Sequence, residues 1–319
     1  MSSYLLLLIA VAPVFLMIAA GWGIRRLGWL TEEADASLLR VVVNLLFPCL
    51  ILDTLLGNKA LNQTGNLVWG PLVGFGTVAL GYAISYAVAP FFRVCDPRQR
   101  RTFAFTTGIY NYGYMALPLV QKLFDQTGSR TSGVLFIHNL GVEVALWTVG
   151  IFLISGTSPR RAWTHLFNPP VVVILVTLLL EFSGMSGMIP GFVREVAHRL
   201  GGAAIPLGLI LAGATFADQI GELHFKKNPA DSLGACVLRL GLLPILMLCL
   251  VRWLPCSVEL RRVILVQAAM PCAVIPVILA KHYGGDPGTA LRLILVTSGV
   301  SLLTIPLWLW VGLHGVLVE

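Results

Sequence analysis

Apolar residues in this chain fall in long runs, not in the one-sided stripes that let an element face a core on one side and water on the other. Bounded by charge, proline or glycine, the runs cover 4–24, 38–56, 68–92, 102–123, 132–154, 169–187, 203–220, 231–251, 263–282 and 289–313. A hydrocarbon core about 30 Å thick needs about 20 apolar residues per helix. The pattern therefore predicts an all-α polytopic membrane protein with ten transmembrane helices. Hydrocarbon offers the backbone no partners, and no run alternates with the period of two that a membrane barrel needs. The sixth run is strongly apolar only over 170–180, and a nine-span arrangement depends on whether it crosses. No basic residue precedes the first run and Arg25-Arg26 follows it, the reverse of a secretory signal, so the first span is expected to be retained.

Composition supports the same class. Of 319 residues, 57% are hydrophobic and 12% charged, against about 45–50% and about 25% in soluble domains. That is too little charge to cover a water-facing surface. The formal net charge of +7 does not indicate a nucleic-acid partner, because Lys and Arg stand in pairs and short groups between apolar runs. Nine of them (Arg25, Arg26, Arg40, Arg93, Arg98, Arg100, Arg101, Arg160 and Arg161) cluster at the odd-to-even connections of the first half, against three (Lys59, Lys122 and Arg130) at the alternate ones. The positive-inside rule then makes those connections cytoplasmic and puts both termini outside the cell (inner) membrane. In the second half Lys226, Lys227, Lys281 and Arg292 oppose Arg194, Arg199, Arg252, Arg261 and Arg262, so orientation rests on the first half. Six cysteines with no C-x-x-C spacing indicate neither a metal site nor a disulfide framework.

The chain also repeats itself. Phe47-Pro48-Cys49-Leu50-Ile51 matches Ile205-Pro206-Leu207-Gly208-Leu209, and Met115-Ala116-Leu117-Pro118-Leu119-Val120 matches Ala273-Val274-Ile275-Pro276-Val277-Ile278, with both proline pairs 158 residues apart. The same offset carries the remaining first-half runs onto the sixth, eighth and tenth. The expected organisation is two five-helix repeats, 1–158 and 159–319. Five is odd, so the second repeat must enter from the opposite side. That inverted arrangement lets many secondary transporters expose one midplane site to either face.

Prolines in the fourth and ninth runs point to where that site lies. The fourth run contains Gly108-Ile109-Tyr110-Asn111-Tyr112-Gly113-Tyr114-Met115-Ala116-Leu117-Pro118. A proline removes a helical hydrogen bond and disfavours helix just before it, and two glycines and Asn111 loosen the same stretch. The ninth run carries Pro271 and Pro276, with Gln267 one turn upstream of the first. Each run is expected to form two half-helices, with Pro118 and Pro276 near the start of the second, where a missing N–H does no harm. A simple kink with its carbonyls satisfied by neighbouring helices is the alternative. Free N–H groups at such a break attract an anion, and the upstream carbonyls can hold a cation. The candidate substrate-binding residues are Asn111, Tyr112, Gly113, Pro118, Gln267, Pro271 and Pro276.

Asn111 and Gly113 followed by Ala116-Leu117-Pro118, the stretch Pro206-Leu207-Gly208-Leu209-Ile210-Leu211-Ala212-Gly213-Ala214, and a proline-broken run ending Ala280-Lys281-His282-Tyr283-Gly284 resemble the auxin efflux carrier family of membrane transporters. The opening Gly23-Ile24-Arg25-Arg26-Leu27-Gly28-Trp29-Leu30, running on to Leu46-Phe47-Pro48, is similar to that family's first two spans, and the likeness covers essentially the whole chain. The resemblance implies a ten-helix fold shared with bile-acid sodium symporters. It also implies a scaffold domain of spans 1, 2, 6 and 7, a transport domain of spans 3–5 and 8–10 moving in an elevator-like cycle, and usually a homodimer. The implied substrates are organic anions: auxin for plant members, malate- or malonate-like carboxylates for bacterial ones. The short connection 155–168 is similar to compact prokaryotic-type members. The third run, with only Thr77, Tyr82, Ser85 and Tyr86 as polar side chains, departs from plant members and puts auxin itself in doubt.

Glu143 and Arg239 fall in the middle of their runs. A mid-membrane charge costs roughly 2.5–3.5 kcal/mol on insertion scales, so each should face a partner or water. Arg239 is a candidate carboxylate contact and Glu143 a candidate proton or cation site that Arg239 tunes; a fixed structural ion pair between them is the alternative. One turn before Glu143 stand Asn139, a further candidate substrate ligand, and His138, a candidate proton relay or a packing residue. Asp53, Glu181 and Asp218 lie near run ends, where snorkelling to the interface suffices. Gly70-Pro71-Leu72-Val73-Gly74 marks close helix packing. There is no G-x-S-x-G, H-E-x-x-H or G-x-x-x-x-G-K-[ST], so no enzyme is expected, and no cofactor beyond a coupling sodium ion or proton. The expected function is secondary transport of small organic anions across the lipid bilayer. A membrane sensor that binds a small organic ligand without translocating it is the alternative.

Overall fold

The computed structural model describes residues 3–127, 130–156, 166–220 and 229–315. Its helices begin and end on signals written into the sequence. α1 (Ser3–Arg26) closes on Arg25 and Arg26, cations at the negative end of the helix dipole. α2 (Glu32–Leu55) opens on Glu32, Glu33 and Asp35 at the positive end. α3 (Thr64–Val88) is followed by α4 (Pro97–Gly108), whose first turn is capped by the Asp96 carboxylate accepting from the Gln99 N–H at 2.9 Å. After α5 (Ala116–Leu123) and α6 (Thr131–Ser155), α7 (Pro169–Phe182) starts with Asn168 accepting from the Val171 N–H and Pro169 in the first position. α8 (Gly191–Asp218), α9 (Pro229–Trp253), α10 (Val258–Ala269), α11 (Pro276–His282) and α12 (Pro287–Gly315) complete the order.

Among the described residues seven helices are long and apolar enough to cross a membrane (α1, α2, α3 with its extension to Phe92, α6, α8, α9 and α12), and α7 is a shorter apolar helix. The pairs α4/α5 and α10/α11 are each interrupted in mid-course. α2 and α8 begin at Glu32 and Gly191, well before the starts at 38 and 203 that the apolar pattern predicts. Charged residues at a helix end that reaches water carry no penalty, so hydropathy undercounts such helices. The sixth run yields only the 14 residues of α7 before a 3-10 turn at Met185–Met188. Three helices widen into π turns, at Val42–Leu46 in α2, Leu146–Gly150 in α6 and Leu238–Leu242 in α9. Two of these lie just ahead of Pro48 and Pro244, where the wider turn accommodates a residue that cannot donate to it.

α3 lies along α6, and α1 along α8. The first contact is as close as the Gly70–Gly74 spacing predicts. A Cβ on Gly74 would stand 2.2 Å from the His138 carbonyl oxygen, and one on Gly141 would stand 1.8 Å from that of Pro71. α2 packs on α7 and the first half of α8, while α12 touches α1, α4, α9, α10 and α11.

Charges at the helix ends are bonded to the protein and do not merely snorkel. Arg25 holds Asp35 and, at 3.1 Å, Asp218; Glu181 accepts the Gly57 N–H at 2.5 Å; Asp53 meets His198 at 3.0 Å. In each case a cation or free backbone donor sits at the same end of the bundle. Arg160, Arg161, Lys226 and Lys227, which enter the orientation argument, lie outside the described residues.

Among the described residues the most buried ion pair joins α9 to α12. Arg292 donates to both carboxylate oxygens of Asp231, with side chains only 7% and 3% exposed. Removing one partner of such a pair strands the other charge, at about 3–5 kcal/mol. Arg292→Met and Asp231→Asn are each expected to lower the melting temperature in detergent by that order of destabilisation. Glu195→Ala, which breaks the exposed Glu195–Arg199 pair, should leave it within about 0.5 kcal/mol. Equal melting temperatures for all three variants would show that the buried pair holds nothing together.

Candidate functional site

Two interrupted helices meet where each loses its hydrogen bonds. α4 stops at Gly108 and α5 begins at Ala116; α10 stops at Ala269 and α11 begins at Pro276. The segments between them pair as an antiparallel bridge at Tyr110 and Cys272. The Asn111 N–H donates to the Pro271 carbonyl at 2.8 Å, and the Ala273 N–H to the Ile109 carbonyl at 3.1 Å. Both are therefore breaks and not kinks, and each break satisfies one N–H and one carbonyl that the other frees. Pro276 is the first residue of α11 and Pro118 the third of α5, both within the turn whose N–H groups have no helical partner.

An amide cluster fixes this crossing. Asn139 Nδ2 and Gln267 Nε2 both donate to the Tyr112 carbonyl, at 3.0 and 3.2 Å, and Gln267 Nε2 also reaches Asn139 Oδ1 at 3.1 Å. Gln267 Oε1 is buried without a partner. His138 Nδ1 lies 3.4 Å from Asn139 Oδ1. With that nitrogen as donor, Nε2 is left to accept from the Tyr110 hydroxyl at 3.5 Å. Tyr110 is held in turn by Thr77 Oγ1 at 2.9 Å. The α3–α6 glycine contact is what brings Thr77 and His138 to one place.

A cavity of about 350 Å³ opens beside the crossing. The α4–α5 break contributes Asn111 to Tyr114, the α10–α11 break Ala273 to Ile275, α2 contributes Val43, Phe47 and Ile51, and α7 Val171 and Ile174. α6 adds Phe136, Asn139, Glu143 and Trp147, and Asn168 closes the rim. The Asn111 side chain is 7% exposed and makes no hydrogen bond among the described residues. Next to it the N–H groups of Gly113 and Tyr114, just ahead of α5, have no acceptor among the described residues. Glu143 Oε1 accepts from the Tyr112 hydroxyl at 2.8 Å, and its Oε2 from Trp147 Nε1 at 2.8 Å and Asn168 Nδ2 at 3.2 Å.

Of the residues singled out in the sequence, Asn111, Tyr112, Gly113, Asn139 and Glu143 line this cavity. Gln267, Pro271, Pro118, Pro276 and His138 build the crossing without lining it. Arg239 does neither. Its side chain is 1% exposed, donates to the Ala268 carbonyl near the end of α10 at 3.3 Å, and stands 5.3 Å from the centre of the Tyr110 ring. Among the described residues no ion pair reaches Arg239 or Glu143, so the two mid-membrane charges are not a pair. A carbonyl at a helix's negative end and an aromatic face receive the guanidinium, and neutral donors receive the carboxylate.

Sequence reasoning missed Trp147 and Asn168. Trp147 stands one turn after a mid-membrane carboxylate on the same helix, and Asn168 directly precedes Pro169 in the signature of a helix cap. Both signals were there to be used.

A family model described as membrane transport protein matches residues 6–309. The chain is 26% identical over 301 residues to an uncharacterized transporter of Methanothermobacter thermautotrophicus, covering 93% of this chain and 96% of that one. It is 22% identical over 303 residues to an uncharacterized transporter of Methanocaldococcus jannaschii, covering 94% and 97%. With its apolar helices and absence of strands among the described residues, the chain belongs to the membrane transport protein family, that of the auxin efflux carriers, and is a multi-pass membrane protein.

Proposed function

We propose that the protein is a secondary transporter for small organic anions of the carboxylate class, with the substrate seated at the crossing of the two broken helices. One observation carries this reading: the unpartnered Asn111 amide and the free N–H groups of Gly113 and Tyr114 belong to residues that line one cavity just ahead of α5. Donors left open in a largely apolar cavity, at the positive end of a half-helix, suit an anion. Tyr112 and Asn139 shape its wall. Gln267, Pro118, Pro271 and Pro276 hold the crossing in register, and Arg239 neutralises the carbonyl end of α10 behind it.

Ten crossings as two inverted five-helix repeats suit this site. In support, the two breaks recur with their prolines 158 residues apart, and α3 with α6 has its counterpart at the same offset in α9 with α12. A scaffold of α1, α2, α7 and α8 and a transport domain of the remaining helices put the cavity between a fixed wall (α2 and α7) and a moving one (α6 and both breaks). Sliding one past the other would expose the cavity to each side in turn, in an elevator-like cycle of a homodimer in the cell membrane with both termini outside. Glu143 is the coupling group for a proton or sodium ion, and His138 reaches the same amide cluster through Asn139.

Labelled-carboxylate uptake into proteoliposomes tests the seat. Asn111→Ala is expected to reduce uptake at least tenfold, about 1.4 kcal/mol of lost stabilisation, with its melting temperature near wild type. Gln267→Ala should reduce both uptake and melting temperature, because it frees the Tyr112 carbonyl. Wild-type flux in both variants sinks the assignment. For coupling, flux is measured with proton and sodium gradients imposed one at a time. Glu143→Gln is expected to abolish the response to whichever gradient drives the wild type, and an unchanged response removes Glu143 from the coupling role.

A further inference from the structure

Glu143 puts a carboxylate on the wall of a cavity proposed to take an anion. Its oxygens accept from Tyr112, Trp147 and Asn168, all neutral donors, at 2.8, 2.8 and 3.2 Å. A carboxylate offers about four acceptor sites, so this arrangement suits the ionised form and leaves one site open on Oε1. Among the described residues no Lys, Arg or His side chain lines the cavity, and no ion pair reaches Glu143. Arg239 is committed elsewhere, to the Ala268 carbonyl and the Tyr110 ring. A bare anion entering here would meet a like charge between largely apolar walls, where such repulsion is little screened.

The same cavity also offers the opposite chemistry. Asn111 Nδ2 and the N–H groups of Gly113 and Tyr114 are unpartnered donors. Much of the remaining wall is apolar, including Phe47, Phe136, Val171 and Ile174. Tyr112 and Trp147, whose polar atoms are bonded to Glu143, also line the cavity.

We infer that the transported molecule is a zwitterion, an amino acid with an apolar or aromatic side chain. Its carboxylate sits at Asn111 and the start of α5, and its ammonium group takes the open acceptor site of Glu143. The bound molecule then brings no net charge to the cavity, and each of its charged ends meets an opposite charge or dipole. The inference rests on the cavity being the transport site proposed above, narrows the carboxylate class to one that carries its own cation, and makes that ammonium the cation at Glu143 in place of a sodium ion or proton.

L-Phenylalanine, 3-phenylpropionate and 2-phenylethylamine share a ring and two-carbon chain and differ in their charged groups. Their binding to the purified full-length protein and their uptake into proteoliposomes separate the cases. L-Phenylalanine is expected to bind at least tenfold more tightly than either of the others. Glu143→Gln should erase its advantage over 3-phenylpropionate, whereas Asn111→Ala should weaken both by a similar factor. If 3-phenylpropionate binds wild type as tightly as phenylalanine, the zwitterion is overturned and the carboxylate transporter stands. Tightest binding by 2-phenylethylamine overturns both. An advantage for phenylalanine that survives in a folded Glu143→Gln variant overturns the assignment of its ammonium to Glu143. Uptake of malonate alone overturns the zwitterion only, and no uptake of any of the four overturns both readings. The wild-type comparison needs no variant to fold.

Discussion

The structure depends on how two breaks in apolar helices satisfy one another. Hydrocarbon supplies no hydrogen-bond partners, so a helix that stops in mid-membrane must find protein groups for its orphaned backbone. Here the Asn111 and Ala273 N–H groups bond across to Pro271 and Ile109, so neither break is stable without the other. Buried amides finish the work: Asn139 and Gln267 converge on the Tyr112 carbonyl. The cost of leaving a buried backbone group unpaired, about 1–3 kcal/mol each, explains why so many side chains are spent on one small crossing. It also explains why the donors that do stay open, at Asn111, Gly113 and Tyr114, carry information about a ligand.

The two mid-membrane charges show the same economy. Isolated, each is expensive; paired with each other, they would be inert. The fold does neither. Arg239 is turned to the negative end of α10 and a tyrosine face, with its Nε buried and unpartnered. Glu143 is surrounded by neutral donors on a cavity wall, so its charge is still felt by whatever enters. Asn168, which donates to it, also caps α7 through the Val171 N–H. The Glu143–Asn168 contact thus ties α6 to α7 across the gap between the two proposed domains.

Much of this was legible in the sequence. Long apolar runs and prolines at a fixed offset pointed to interrupted helices at residues 108–118 and 267–276, and the structure interrupts them there. Asn111, Asn139 and Glu143 were recognisable because polar side chains in apolar runs are conspicuous, and Gly113 because it loosens the same stretch of helix. What the sequence hid was direction. Nothing in a run of letters says whether Arg239 faces Glu143 or Ala268, since that depends on how α9 turns about its axis, and a π turn at Leu238–Leu242 resets that angle. Arg292 and Asp231 were hidden for the opposite reason. They sit at run ends, where hydropathy assumes water, yet the helices extend past those ends and bury them.

The two breaks are related in sequence but not in chemistry, and the difference gives the cavity a polarity. From the first break come Asn111, Tyr112, Gly113 and Tyr114; from the second come Ala273, Val274 and Ile275, all apolar. On the proposed repeat the two breaks share a backbone plan, and their side chains then decide which half binds a polar group. Here the polar duty falls mainly on the first half, where Asn139 and Glu143 join the break, and the second half adds Asn168. The apolar second break, with α2 and α7 opposite, leaves room for a hydrocarbon body and none for a second charged group on that side. On the proposed function, a substrate would therefore enter in one orientation, head toward α5 and side chain toward α11. A symmetric dicarboxylate would have to leave one of its charges against Ala273, Val274 and Ile275, a desolvation penalty that a molecule with a single polar end avoids.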